Sequence, residues 1–167
     1  AKVSVIDNIY LGDINEANAY LNFGLDLQKG KFSVIPGLRL DFFRFSYQNQ
    51  LENNSKTNIQ TKSLLSPKLN FIYQGNENTQ FFLKTGLGYH SNDTRGVIAR
   101  QAEQILPRSF GADLGSIFKP TKGLLFNATA WYLYLQQEFV YVGDEGIVEP
   151  SGRTRRMGID LSARAQM

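Results

Sequence analysis

Ala17-Asn18-Ala19-Tyr20-Leu21-Asn22-Phe23-Gly24-Leu25-Asp26-Leu27-Gln28 reads in twos: apolar residues alternate with Asn18, Tyr20, Asn22, Gly24, Asp26 and Gln28. Successive side chains of a strand point to opposite faces, so this run offers one apolar face and one wet one. The alternation returns along the chain. Leu65, Pro67, Leu69, Phe71 and Tyr73 oppose Ser66, Lys68, Asn70 and Gln74, with Ile72 as the exception. Phe81, Leu83, Thr85, Leu87 and Tyr89 stand against Lys84, Gly86, Gly88 and His90, and Phe82 breaks that polar face. Met157, Ile159, Leu161, Ala163 and Ala165 oppose Arg156, Gly158, Asp160, Ser162 and Arg164. The predicted fold is all-β, an antiparallel transmembrane β-barrel with hydrocarbon outside and charge inside.

Composition narrows the alternatives. The 42% of hydrophobic and 20% of charged residues would also suit a soluble sandwich, so the pattern carries the argument. No run approaches the roughly 18 apolar residues of a spanning helix. Membrane residence therefore requires a closed sheet with every backbone group paired. Twelve Phe, eight Tyr and one Trp, read from 167 residues, are what aromatic girdles at two interfaces consume. The absence of Cys excludes a disulfide framework and a thiolate metal site. A net charge of +3 without a basic, aromatic-interleaved stretch argues against nucleic acid as a partner. A chain beginning at Ala1 carries no signal peptide and is expected to be a mature form or an excised piece.

Eight strands are expected, at about 2–11, 16–29, 31–48, 58–74, 79–90, 108–119, 123–142 and 152–165. Their connections alternate in length. Lys29-Gly30-Lys31, Gly75-Asn76-Glu77-Asn78 and Pro120-Thr121-Lys122 are tight, built from residues that accept positive φ or preset a turn. Between them lie the longer stretches 49–57, 91–107 and 143–151, with a short one at 12–15. Short turns at one end and long loops at the other belong to outer-membrane barrels, which keep the turns periplasmic. Two strands fit less well. From Phe43 the apolar parity of the third shifts to Phe43, Phe45 and Tyr47, which predicts a bulge near Phe42-Phe43 or an aromatic girdle on both faces. From Leu124 to Leu135 both faces are mostly apolar, leaving the side of Trp131 open.

The strings Leu65-Ser66-Pro67-Lys68-Leu69-Asn70, Tyr89-His90-Ser91-Asn92-Asp93-Thr94-Arg95-Gly96 and Leu106-Pro107-Arg108-Ser109-Phe110-Gly111-Ala112-Asp113-Leu114-Gly115 occur in that order. Trp131-Tyr132-Leu133, the run 138–146 and the run 149–158 continue the series. Together they resemble the β-barrel of a TonB-dependent outer-membrane receptor. The resemblance implies that residues 1–167 are one incomplete barrel segment of about eight strands in a larger, roughly 22-stranded barrel. The plug domain, the TonB-contacting segment and a terminal aromatic residue are then expected elsewhere in a parent chain. It further implies active transport of a scarce nutrient (siderophore, haem, cobalamin, metal complex or oligosaccharide) through the outer membrane of a Gram-negative bacterium. Implied partners are outer-membrane lipid, the plug domain and remaining strands, TonB through the parent chain, and a small-molecule ligand. A small eight-stranded barrel with a structural, adhesion or passive-pore role is one alternative, in which Arg39, Asp41, Lys68, Lys84, Asp113, Asp160 and Arg164 would pair across a filled interior. A soluble β-sandwich binding module is another.

Few constellations could carry chemistry. His90 with Asp93 gives too few ligands for a metal, no nucleophile-base set is present, and neither cofactor nor enzyme activity is expected. His90, Asn92, Asp93 and Arg95 fall where a strand becomes a long loop, placed either to contact substrate or plug, or to cap the strand end. Asp144 and Glu145, with Glu149, face Arg153, Arg155 and Arg156 across the 143–151 loop. They could grip an anionic ligand or close salt bridges at the rim. Gly86-Leu87-Gly88 lacks the rest of a phosphate loop, and inward glycines instead let another backbone approach.

Overall fold

The computed structural model describes residues 11–51, 57–90, 106–142 and 147–166, with side chains for all but 139–142 and 147–151. Eight strands form one antiparallel sheet: β1 (Gly12–Gly24), β2 (Leu27–Lys29), β3 (Phe32–Asn49), β4 (Thr57–Asn76), β5 (Thr79–Tyr89), β6 (Arg108–Thr121), β7 (Leu124–Val142) and β8 (Ile147–Ala165). Sequential neighbours pair in the order β1-β3-β4-β5-β6-β7-β8, with β2 continuing the β1 edge along β3. β1 and β8 are the two edges, so the sheet is not closed. That departs from the compact eight-stranded alternative, in which they would pair and the inner charges would meet across a filled tube.

Among the described residues, boundaries differ from expectation at three places. The strand expected over 2–11 lies, apart from Leu11, outside the described residues. The loop expected at 12–15 is strand: Gly12 to Asn15 pair with Asn49 to Ser46, extending β1 to the long-loop end. The single strand expected over 16–29 is two, interrupted at Leu25 and Asp26 opposite Pro36. A proline has no N–H to give the ladder. The Leu25 N–H donates to the Pro36 carbonyl at 3.1 Å and the Ser33 hydroxyl to the Asp26 carboxylate at 2.7 Å across the break. Likewise β8 begins at Ile147, inside the stretch 143–151 read as loop.

The short turns form as their residues require. Gly30 and Gly123 take φ of 59° and 86°, where a side chain is strained. At the third turn the Asn76 side chain accepts the Asn78 N–H at 2.9 Å, an Asx turn.

Register fixes the two faces. One lane crosses Phe71, Leu83, Leu114, Ala130 and Ile159, and the next crosses Tyr73, Phe81, Ser116, Ala128 and Leu161. This face is open: Leu21, Phe71 and Leu161 are 53%, 42% and 77% exposed. Aromatic rings border it on the turn side, where Phe32 lies 4.7 Å from Tyr73, Tyr73 6.4 Å from Phe81, and Phe118 6.5 Å from Phe126. On the loop side Phe110 sits 6.3 Å from Tyr132, with Tyr134 beside Phe110 in register. From Phe126 to Tyr134 the strand covers about 26 Å. At a barrel tilt of about 40° that is about 20 Å of height, the scale of the apolar band that lipid requires.

The opposite face carries Asn70, Lys84, Asp113 and Trp131 in one lane, which places Trp131 on the polar side, its ring over Gly158. Phe82 is buried here against Gly115, where an added Cβ would lie 2.4 Å from the Phe82 ring and 2.6 Å from the Ala128 carbonyl. Gly115→Ala should therefore cost about 1–3 kcal/mol. Gly111→Ala, where nothing lies within 4 Å, is its control and should be near neutral. Equal urea midpoints for the two variants would contradict this packing.

Candidate functional site

β3, the strand next to the β1 edge, carries the charged network of the inner face. Arg39 and Asp41 are two residues apart on one strand and so share a side. Arg39 grips the Asp41 carboxylate with both arms of its fork, Nε to Oδ2 at 2.8 Å and Nη2 to Oδ1 at 2.8 Å. Asn18 on β1 donates to Oδ1 at 3.2 Å, and the Tyr89 side chain lies close by. The Arg39 guanidinium also lies 4.0 Å from the Tyr20 ring centroid. Asp41 is fully buried while the Arg39 side chain remains 40% exposed, so a locked carboxylate holds a guanidinium toward the inner space.

Beyond Asp41 the same face turns apolar. No bulge occurs near Phe42-Phe43: β3 stays in register with β1 and β4 through Gln48. Phe43, Phe45 and Tyr47 therefore point the same way as Arg39 and Asp41, and the shifted parity marks an inward cluster instead of a slip. Phe43 stacks on Phe45 at 5.6 Å and meets Tyr89 edge-on at 5.3 Å. Phe45, Tyr47, Leu64 and Leu106 are buried together, and Pro107 is covered as well. Both described ends of the β5–β6 connection are tied at this wall, since Tyr89 lies on Phe43, Leu106 joins the cluster, and the His90 N–H donates to the Pro107 carbonyl at 3.0 Å.

A lane of four glycines and one lysine runs beside the network: Gly24, Gly37, Lys68, Gly86 and Gly111 are successive partners across five strands. The Lys68 stem lies over Gly37, and above Gly111 the surface is bare. On the loop side of β7 and β8 the Arg156 guanidinium pairs with Glu138 on the same inner face.

Of the residues singled out in the sequence, His90 is exposed just past β5, beside the inward cluster. Asn92, Asp93, Arg95, Asp144 and Glu145 lie outside the described residues. Arg153 and Arg155 are exposed on β8 in step with Met157 and Ile159, opposite in parity to Arg156, so the arginines read as one cluster divide between two faces. The Asn18–Arg39–Asp41 network escaped sequence reading as a unit, although Arg39-Leu40-Asp41 is the spacing that puts opposite charges side by side on a strand. No group of three potential metal ligands occurs among the described residues.

Comparison with known proteins agrees with this architecture. The family model described as TonB dependent receptor-like, beta-barrel, matches residues 4–166. A search of the curated proteins matches none of them. Among solved structures, the ferric citrate transporter FecA superposes with a TM-score of 0.73 at 16% identity over 97% of this chain and 24% of its own. The ferric-catecholate import receptor Fiu of E. coli K12 gives 0.71 at 15% identity over 93% of this chain and 26% of its own. The copper transporter OprC gives 0.71 at 15% identity over 92% and 26%. The chain spans about a quarter of the length of the structures it matches.

Proposed function

The chain belongs to the TonB-dependent receptor-like β-barrel family, and from that premise we infer that it forms part of the wall of a receptor that imports a scarce nutrient through the outer membrane of a Gram-negative bacterium. The family is one of transporters and receptors. The remaining strands, a plug domain and TonB act through the parent chain, and outer-membrane lipid surrounds it. The cargo we favour is an anionic metal complex or chelate. One observation carries this reading: Arg39, pinned by a buried carboxylate, presents its guanidinium on the inner face of the sheet, which this reading makes the wall of the transport path. Two named cargoes of the similar structures, ferric catecholate and ferric citrate, are compatible with it. His90, at the foot of the β5–β6 connection, together with Asn92, Asp93 and Arg95, is proposed to contact cargo or plug nearer the outside, and Asp144 and Glu145 to do so from the β7–β8 connection.

The test is uptake by cells carrying or lacking the full receptor gene, with labelled ferric chelates, copper, haem, cobalamin and oligosaccharides offered in turn. One metal-bearing cargo should enter only with the gene and stop when a protonophore collapses the inner-membrane gradient. Entry that survives the protonophore would mean a passive pore. The double variant Arg39→Ala with Asp41→Asn removes the presented charge without stranding its partner. It should weaken cargo binding about tenfold or more, since hydrogen bonds to a charged group contribute about 1.5–3 kcal/mol. Unchanged affinity would remove Arg39 from the path.

A further inference from the structure

We propose that the loop-side ends of β5 and β6 form a hinged flap, and that its seating on the inner wall decides whether Asp41 holds the Arg39 guanidinium or lets it go. The flap is detached on both flanks, as the backbone shows. Alternate residues of a strand direct their N–H and C=O groups to alternate neighbours. Gln74 donates to the Lys31 carbonyl on the β3 side, so the odd residues of β4 serve β5, and the rung beyond Lys68–Gly86 would need an N–H from Pro67. Proline has none. On the other flank the β6–β7 rungs end at Ser109–Leu135, and the Arg108 N–H donates instead to the Gln136 side chain at 3.2 Å. Past these limits β5 and β6 stay paired with each other through Leu87–Phe110, Tyr89–Arg108 and the bond from His90 to Pro107, and so the two ends move as one body.

The base of the flap is bare on the side toward which it leans. Gly86, Gly88 and Gly111 share the inward face there, Gly86 opposite Gly111. Bending inward crowds inward side chains, and these positions have none. A Cβ at Gly111 would meet nothing within 4 Å, and one at Gly86 only Lys68 and Pro67, at 3.5 and 3.7 Å. The tip confirms the bend. Tyr89 is in step with Leu83 and Leu87 and so belongs to the outward set, yet its ring meets Phe43 and lies beside Asp41, both of which are inward. The flap has therefore crossed to the inside of β3, where it helps to cover the carboxylate that grips Arg39. Lifting it would admit water to Asp41, which competes for the same hydrogen bonds and leaves an exposed, loose ion pair. Such a lift is a local opening that leaves the rest of the sheet paired. Both flanks of the flap lie inside the sheet, so it owes nothing to the edges β1 and β8, and the identity of the cargo does not enter.

The full receptor, with any cysteine of the parent chain replaced by serine, is reconstituted in lipid vesicles, and retained heat-modifiable mobility shows that each variant is folded. Leu64→Cys on the wall and Leu106→Cys on the flap, buried in one cluster, are joined by a short bis-methanethiosulfonate and freed again by a thiol. The readout is the rate at which phenylglyoxal modifies Arg39, mapped by peptide mass spectrometry. Joining the pair should slow that rate about tenfold, and freeing it should restore the rate, since hydrogen bonds to a charged group are what a lift gives up. Tyr89→Ala, which removes the ring from Phe43, and Gly86→Val with Gly88→Val, which fills and stiffens the base, should each speed it about tenfold. Exposed Arg153 should react alike throughout. Equal Arg39 rates in the joined and freed receptor would overturn the proposal, as would a thiol pair that cannot be joined or a Tyr89→Ala receptor that reacts like the wild type.

Discussion

Ile159→Arg is expected to cost about 2–4 kcal/mol of folding stability in lipid, the penalty for a cation near the middle of the bilayer on the outside of a barrel. Ile159 lies in the lane of Phe71, Leu83, Leu114 and Ala130, midway on β8 between the two aromatic borders, and is 74% exposed. In water such exposure would make the position tolerant of charge. In hydrocarbon it makes the position intolerant, and the sign of this contrast reports the solvent. Asp160→Arg, one residue on and facing inward, is the matched control and should change stability little, because that face is wetted or meets other protein. Urea titration of the full receptor in lipid vesicles reads both. Equal losses, or a larger one at Asp160, would show that the faces have been assigned the wrong way round.

Phe45→Ala should cost about 3–5 kcal/mol, the range for removing a large ring from a packed core. Phe45 is 2% exposed, stacked on Phe43 and buried with Tyr47, Leu64 and Leu106. Truncating it opens a cavity at the point where the descending end of the β5–β6 connection is held. Arg44→Ala, at the exposed neighbour on the other face, should stay within about 0.5 kcal/mol. The same titration in detergent micelles measures the pair. A loss below about 1 kcal/mol at Phe45 would mean that the cluster is not packed as a core and that Leu106 does not depend on it.

The sequence already displayed most of this fold, because a strand between lipid and water is forced to alternate, and β3 to β7 lie close to their expected bounds. The departures come from residues whose influence is not local. Pro36 sits in β3 but breaks the neighbouring strand, which loses its ladder partner at Leu25 and Asp26; nothing in residues 16–29 themselves announces the gap. Residues 12–15, Gly-Asp-Ile-Asn, have turn composition and are strand because Asn49 to Ser46 are there to pair with them. Phe43, Phe45 and Tyr47 imitate a register slip, since an inward apolar cluster and a bulge leave the same trace in a one-dimensional pattern; only partners distant in sequence, Leu64 and Leu106, tell them apart. The Arg39–Asp41 pair was legible as spacing, whereas the burial of its carboxylate depends on Asn18 and Tyr89 arriving from other strands.

β4 pairs with β5 only as far as Lys68 and Gly86, yet runs on to Thr57 alongside β3. Toward the loop end, then, this flank of the wall is fastened by side-chain contacts, Tyr89 on Phe43 and Leu106 among its aromatic neighbours, where the rest is fastened by a backbone ladder. A ladder resists shear along its whole length at once, while side-chain contacts can yield singly. Mechanical load on the sheet should thus concentrate along one seam, so that the described loop-side ends of β5 and β6 can part from β4 together while every backbone rung nearer the turns stays closed.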